Sequence, residues 1–348
     1  MAYPFDIYPY RDVGSGKLTG EGKWRDEVKG VITDPIHEEM TLRSIQLARK
    51  SYFKGSEAID NNFIGKVVKG SQWNDDPLGY FPKRPEDWVV YFQHASWISS
   101  KLNDTYDLLY RTHYHDLQFF HAMASSDIES TTETKDKILA LIEFSYKVSI
   151  GDINPRIDFK HVHQYLSQKS GKIFNSLFLG KGTRTGWTPT YLFSLKCDRV
   201  IIVPFYKTKL NCDETSWVTP MQDVQNIALG SILHVIQDSF SDSHTARTPE
   251  YDGKFSLIHG RNSINSFHVY SEQSSSEHKK ADQYPNDYNS DMSVEGNNLE
   301  DISIFIITKV LSDRANKSNS WPEVFAKLSD GCFSLSNTKS VYNFIKYK

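Results

Sequence analysis

Between about residues 222 and 240 apolar side chains recur at spacings of three and four, and His234 and Asp238 are set into that run. On a helix, residues four apart share a face, so this imidazole and this carboxylate point to one place. His244 closes the stretch His234-Val-Ile-Gln-Asp238-Ser-Phe-Ser-Asp-Ser-His244, and His268 with Glu272 repeats the i,i+4 spacing. That spacing predicts a second His/carboxylate pair on one helical face. Nitrogen and oxygen donors in this mixture are what Zn²⁺ accepts at catalytic sites, and the lack of a thiolate among them argues against a closed structural site.

Helical periodicity also marks about 37–53, 88–101, 113–125, 134–150 and 299–313, with Thr131 to Glu133 as a start signal before the run through Ile138 and Ile142. Between about 183 and 218 the pattern changes to β-branched and aromatic runs, Tyr191-Leu-Phe193 and Val200-Ile-Ile-Val203, which predict one hairpin. Residues 271–298 are Ser, Asn, Asp, Glu and Lys with little to bury, the composition of a long surface loop. The expected fold class is mainly α, a multi-helix bundle with a small β excursion. Its parts are an irregular lead-in over 1–30, a helical domain over 31–313 and a C-terminal appendage over 314–348.

At 348 residues the chain can bury a sizeable core. Its 40 Lys and Arg against 43 Asp and Glu leave a net charge of -3, which is not the footprint of a general nucleic-acid binder. Cys197, Cys212 and Cys332 are too few and scattered for a disulfide framework. The longest apolar runs fall well short of the roughly 20 residues of a membrane span. Met1-Ala-Tyr-Pro-Phe-Asp6 has neither the basic nor the apolar region of a secretory signal.

Three further stretches stand out: Ile36-His37-Glu-Glu-Met-Thr41, Trp73-Asn-Asp75-Asp76-Pro77 and Arg111-Thr-His113-Tyr-His115-Asp116. Alone, each has an ordinary reading: His37 as a helix-start residue, Trp73 to Pro77 as a turn with a helix cap. Together with residues 234–272 the set resembles the superfamily of zinc-dependent bacterial phospholipases C and single-strand nucleases. The resemblance runs over about residues 24–275. Within that superfamily, Trp73-Asn-Asp-Asp-Pro77 and His113-Tyr-x-Asp-Leu-Gln-Phe-x-His121-Ala-Met123 look like the bacterial metallophospholipase C branch that includes lipases of intracellular pathogens.

The resemblance implies an almost all-helical fold with three zinc ions in a cleft. It assigns Asp75, His113, His234 and Asp238 to one zinc, and His244, His268 and Glu272 to a second. The third falls to His37 and Asp238, the latter as a bridging carboxylate. Family members complete that third zinc with a processed N-terminal Trp; here Trp24 is internal, so cleavage after Lys23, water or Asp34 is expected to serve. Ser241-Asp-Ser243 also departs from the Gln-Pro-hydrophobic segment common in the family. His115 and His121 read as structural, His161 and His163 as polar surface, and Phe119 and Phe240 as core.

The implied activity is hydrolysis of glycerophospholipids, phosphatidylcholine foremost, to diacylglycerol and a phosphorylated headgroup by attack of zinc-bound water, with Asp75 or Asp76 as general base. The implied setting is a secreted or translocated bacterial effector, active in virulence, that meets its phospholipid substrate at a membrane surface and binds no nucleic acid. The rival within the same chemistry is a zinc-dependent single-strand nuclease or nucleotidase, and the rival outside it a non-catalytic zinc-stabilised effector. A nuclease cleft would want basic and stacking residues, which this charge balance does not favour.

Overall fold

The computed structural model describes residues 36–54, 57–77, 108–179, 186–195, 197–202, 207–212, 218–247, 263–270 and 299–336. The fold is mainly helical with a small β component. The lead-in over 1–30, Trp24, Asp34, the helix expected over 88–101 and the polar stretch 271–298, with Glu272 in it, lie outside the described residues.

The organising element is helix α8, Met221–Asp238, which is apolar almost all round and is buried from Asp223 onward but for Gln225. Around it pack α1 (Ile36–Ser51), α2 (Asn61–Trp73), α4 (Thr131–Ile150), α7 (Pro189–Ser194) and α9 (Leu299–Asn316). The short α3 (Leu108–Tyr114) leads into a 3₁₀ turn, Gln118–His121, and α5 (Phe159–Val162) and α6 (Gln168–Phe178) cover the outer side of α4. Local chemistry sets the helix starts. Asp60 accepts from Phe63 N at 2.7 Å ahead of α2, and Ser130 accepts from Glu133 N at 3.1 Å ahead of α4. Gly151 ends α4 at φ 90°, a left-handed conformation that suits glycine.

α2 and α8 pack at backbone contact. A Cβ on Gly70 would lie 2.8 Å from Gly230 Cα, and one on Gly230 would lie 2.6 Å from Gly70 Cα. The two backbones touch, so the C-terminal end of α2 is held against the middle of α8.

The expected hairpin is present as β1 (Cys197–Ile202) paired antiparallel with β2 (Lys207–Cys212). Tyr191-Leu-Phe193, expected to be extended, is instead helical in α7: Thr188 accepts from Tyr191 N and Pro189 occupies the first turn. A second small sheet pairs β3 (Thr245–Arg247) with β4 (Ile264–Phe267). The helix expected over 113–125 is not continuous: α3 ends at Tyr114, and the 3₁₀ turn that follows is closed by Ala122, which turns into the left-handed region at φ 49° and directs its N–H onto Gln118 and Phe119.

Residues 314–336 pack on the same core. Asp313 accepts from Tyr146 Oη at 2.6 Å and from Ser320 N at 2.6 Å, α10 (Trp321–Lys327) follows, and Leu328, Cys332 and Phe333 are buried. Ile264 N donates to Ser334 O and Ser336 N to Ile264 O, which ties this segment to β4. Among the described residues no helix is long and apolar enough to cross a membrane.

Candidate metal centre

Seven short segments of chain supply one buried cluster. α1 brings His37 from its first turn, α3 brings His113, the 3₁₀ turn brings His121, and α8 brings His234 and Asp238 from its last turns. Asp75 and Asp76 follow the end of α2, where Pro77 prevents continuation. Trp73 anchors that end: its indole N–H donates to Leu192 O at 3.1 Å and its ring packs on Phe120 and Phe193. His244 and His268 complete the set. All of these side chains are buried, and His113, His234, Asp238 and His244 are wholly so.

His268 corrects the expected second helical pair. It directly follows strand β4, and its N–H donates to His244 O at 2.8 Å, so strand pairing rather than an i,i+4 helix face sets the two histidines side by side. Glu272, its expected companion, lies outside the described residues.

Asp238 sits between two groups of donors. Its Oδ1 is 3.3 Å from His37 Nε2, while its Oδ2 is 2.9 Å from His234 Nε2 and 3.1 Å from His121 Nδ1. Asp75 Oδ1 lies 3.7 Å from His234 Nε2 and 3.8 Å from His121 Nδ1. His37, His234 and Asp238 present ligand atoms within 4.8 Å of one another, and so do Asp75, His113 and His121. Either trio can hold a metal ion. Asp76 is buried beside Asp75 but belongs to neither.

The outer ring nitrogens show how the imidazoles are aimed. His37 Nδ1 donates to Gln237 Oε1 at 2.9 Å, His113 Nδ1 to Leu109 O at 2.9 Å and His234 Nδ1 to Ser71 O at 2.6 Å. His244 Nδ1 donates to His121 O and His268 Nδ1 to Ser243 O at 3.0 Å. A carbonyl oxygen can only accept, so in each neutral ring the proton sits on Nδ1 and the lone pair on Nε2. This is how metal-ligating histidines are commonly oriented, the outer N–H fixing tautomer and ring plane. Burial works in the same direction. It pushes His121 well below the usual histidine range, helped by the neighbouring imidazoles. It also lowers His268 to about 4, against the opposing hydrogen bond to Ser243 and with help from His244. Neutral imidazole is the form that binds metal.

The donor set fits zinc: imidazole nitrogens and carboxylate oxygens in a buried site without a thiolate. His121, which its sequence context gives as structural, stands among the donors. Gln237 and Asn74, which lie within the motifs without being singled out by them, also shape the cluster; Gln237 carries His37 and is itself held by a bond to Thr41 Oγ1 at 3.0 Å. His115, by contrast, turns away, half-exposed, to Asp116 at 3.1 Å, where Arg111 also pairs. His161 and His163 are exposed, and Phe119 and Phe240 are core. His94, His259 and His278 lie outside the described residues. No family model, no curated protein and no solved structure matches this chain.

Proposed function

We propose that this protein is a zinc-dependent phosphodiester hydrolase of the phospholipase C type, acting on glycerophospholipids at a membrane surface. The observation that carries this reading is Asp238, buried at the centre of a histidine cluster with its two oxygens turned to different partners, His37 on one side and His234 on the other. A carboxylate in that position suits a bridge between two cations, and closely spaced cations suit an anionic phosphodiester. His37, Asp75, His234 and Asp238, with His113 or His121, would hold two ions, and His244 with His268 would begin the site of a third.

Bound zinc would supply Lewis acidity toward the phosphoryl oxygens and acidify a water to a pKa of about 7. The chain's own residues do the rest. Gln237, Leu109, Ser71, His121 and Ser243 hold the imidazoles in register through the outer N–H bonds. Asp75 stands against His234 and His121 and is the carboxylate best disposed to take a proton from the nucleophile; Asp76, adjacent and buried, is its rival.

The test is direct. Zinc-loaded protein is incubated with mixed phosphatidylcholine micelles and single-stranded RNA in one tube, and the phosphorus products are followed by NMR. Phosphocholine with intact RNA is the expected result. Nucleotides with intact lipid would transfer the function to a nuclease, and zinc occupancy with no turnover of either would leave a metal-stabilised binding protein.

A further inference from the structure

We infer that His121 is itself a metal ligand, through Nδ1, in a four-donor site with Asp75, His234 and Asp238; the inference deepens the metal reading above and rests on it. Three acceptors form a tight triangle here. His121 Nδ1 is 3.2 Å from His234 Nε2 and 3.1 Å from Asp238 Oδ2, and His234 Nε2 is 2.9 Å from the same oxygen. The outer bonds decide which atoms carry protons. His234 Nδ1 donates to Ser71 O, and His121 Nε2 donates to Asn74 O at 3.1 Å. Both inner nitrogens therefore present lone pairs toward each other and toward a carboxylate oxygen. Such a triangle is repulsive among neutral rings and becomes attractive around a cation.

The distances suit a specific geometry. With Zn–N of about 2.0–2.1 Å and Zn–O of about 2.0–2.2 Å, the donors of a tetrahedral site stand about 3.3–3.4 Å apart. Five of the six edges of the proposed tetrahedron are 2.9, 3.1, 3.2, 3.7 and 3.8 Å, the last two reaching Asp75 Oδ1. They scatter about that value on both sides.

Among the described residues of the cluster, His121 is the one ring held through Nε2, and Asn74 is the reason. Besides taking the Nε2 proton on its carbonyl, Asn74 donates from Nδ2 to Phe120 O at 2.6 Å and accepts at Oδ1 from Ser231 Oγ at 2.7 Å. The 3₁₀ turn is thus fastened to the end of α2 and to the middle of α8, the two elements that supply Asp75 and His234. His121 fills the place in the donor set that the family resemblance gives to His113.

The test uses the full chain labelled with ¹⁵N in its histidines and loaded with ¹¹³Cd in place of zinc. Nitrogen–cadmium couplings separate Nδ1 from Nε2 coordination in the wild-type protein, so no variant needs to fold for the first result. The expected result is one histidine coupled through Nδ1 and others through Nε2, with the Nδ1 signal lost in His121→Gln and kept in His113→Gln. Coupling through Nε2 alone, or an Nδ1 signal that survives in His121→Gln, overturns the assignment. A wild-type chain that takes up neither zinc nor cadmium overturns the metal reading itself.

Discussion

Gly70 of α2 and Gly230 of α8 meet backbone to backbone, each occupying the space where the other's Cβ would stand. The contact lies about one helical turn before Asp75, just past α2, and one before His234 on α8, so the spacing of these two donors is set by glycine. Gly230→Ala would press its methyl against Val67 O and Gly70 Cα. Overpacking of this kind typically costs about 1–3 kcal/mol, and backbone on both sides leaves little to yield. The expected outcome is a loss of about 3 kcal/mol in urea unfolding of the metal-free protein and weaker zinc affinity in a competition titration. A variant with lower stability but unchanged affinity would show that the helix spacing does not govern the site.

Asp238 separates the metal sites by the number of ions that each substitution removes. His37 Nε2 lies 3.3 Å from its Oδ1, and His234 Nε2 and His121 Nδ1 lie 2.9 and 3.1 Å from its Oδ2. Asp238→Asn keeps the shape but removes the charge shared by both groups, so it is expected to lose two ions per chain by elemental analysis, while His37→Gln loses one. Equal losses from the two variants would contradict a bridging role. Both variants should also lose turnover, by at least a hundredfold for Asp238→Asn.

Much of this arrangement is legible in the amino-acid sequence, and the parts that are not have physical causes. α8 reads clearly because a long apolar run leaves its period visible, and the hairpin over 197–212 reads from β-branched residues. α2 does not, because its apolar stripe, Phe63, Val67 and Val68, runs for only about two turns before Gly70 and Ser71 take over the buried face. His268 reads as helical from its spacing to Glu272, yet a four-residue strand decides its place by pairing with β3. His121 is hidden for a different reason. It becomes a donor only because Ala122 adopts a left-handed turn and Asn74, distant in sequence, accepts its Nε2 proton.

The metal-free protein is expected to lose stability as pH falls below the ordinary histidine range. His268 is lowered to about 4 by burial, from an ordinary value near 6.5. Between those values the unfolded chain binds a proton that the folded chain refuses, so stability rises with pH there. The contribution is fully present above about 6.5, falls progressively as pH drops, and levels off below about 4. A gap of this size corresponds to about 3 kcal/mol, and His121, also lowered, adds in the same direction. Urea midpoints of the apo-protein at about pH 7, 6 and 5 would check it. His268→Gln should flatten part of the slope; an unchanged slope would show that His268 is not responsible.

The C-terminal segment depends on Asp313, a buried carboxylate that collects bonds from both sides of the turn after α9. It accepts from Tyr146 Oη at 2.6 Å, Ser318 Oγ at 2.7 Å, Ser320 N at 2.6 Å and Ser320 Oγ at 2.8 Å. These bonds hold its carboxyl below the usual range even though burial opposes them. Asp313→Ala would leave a phenol, a backbone N–H and two hydroxyls without their acceptor, at about 1–3 kcal/mol for each group that stays buried. A total loss of about 3 kcal/mol or more is expected, against about 1 kcal/mol for Tyr146→Phe, which removes a single bond. The segment also reaches the site, since Ser334 and Ser336 pair with Ile264 at the start of the strand that leads to His268. Asp313→Ala should therefore speed hydrogen exchange at β4 as well as in α10. Faster exchange confined to α10 would show that the segment and the site are not coupled.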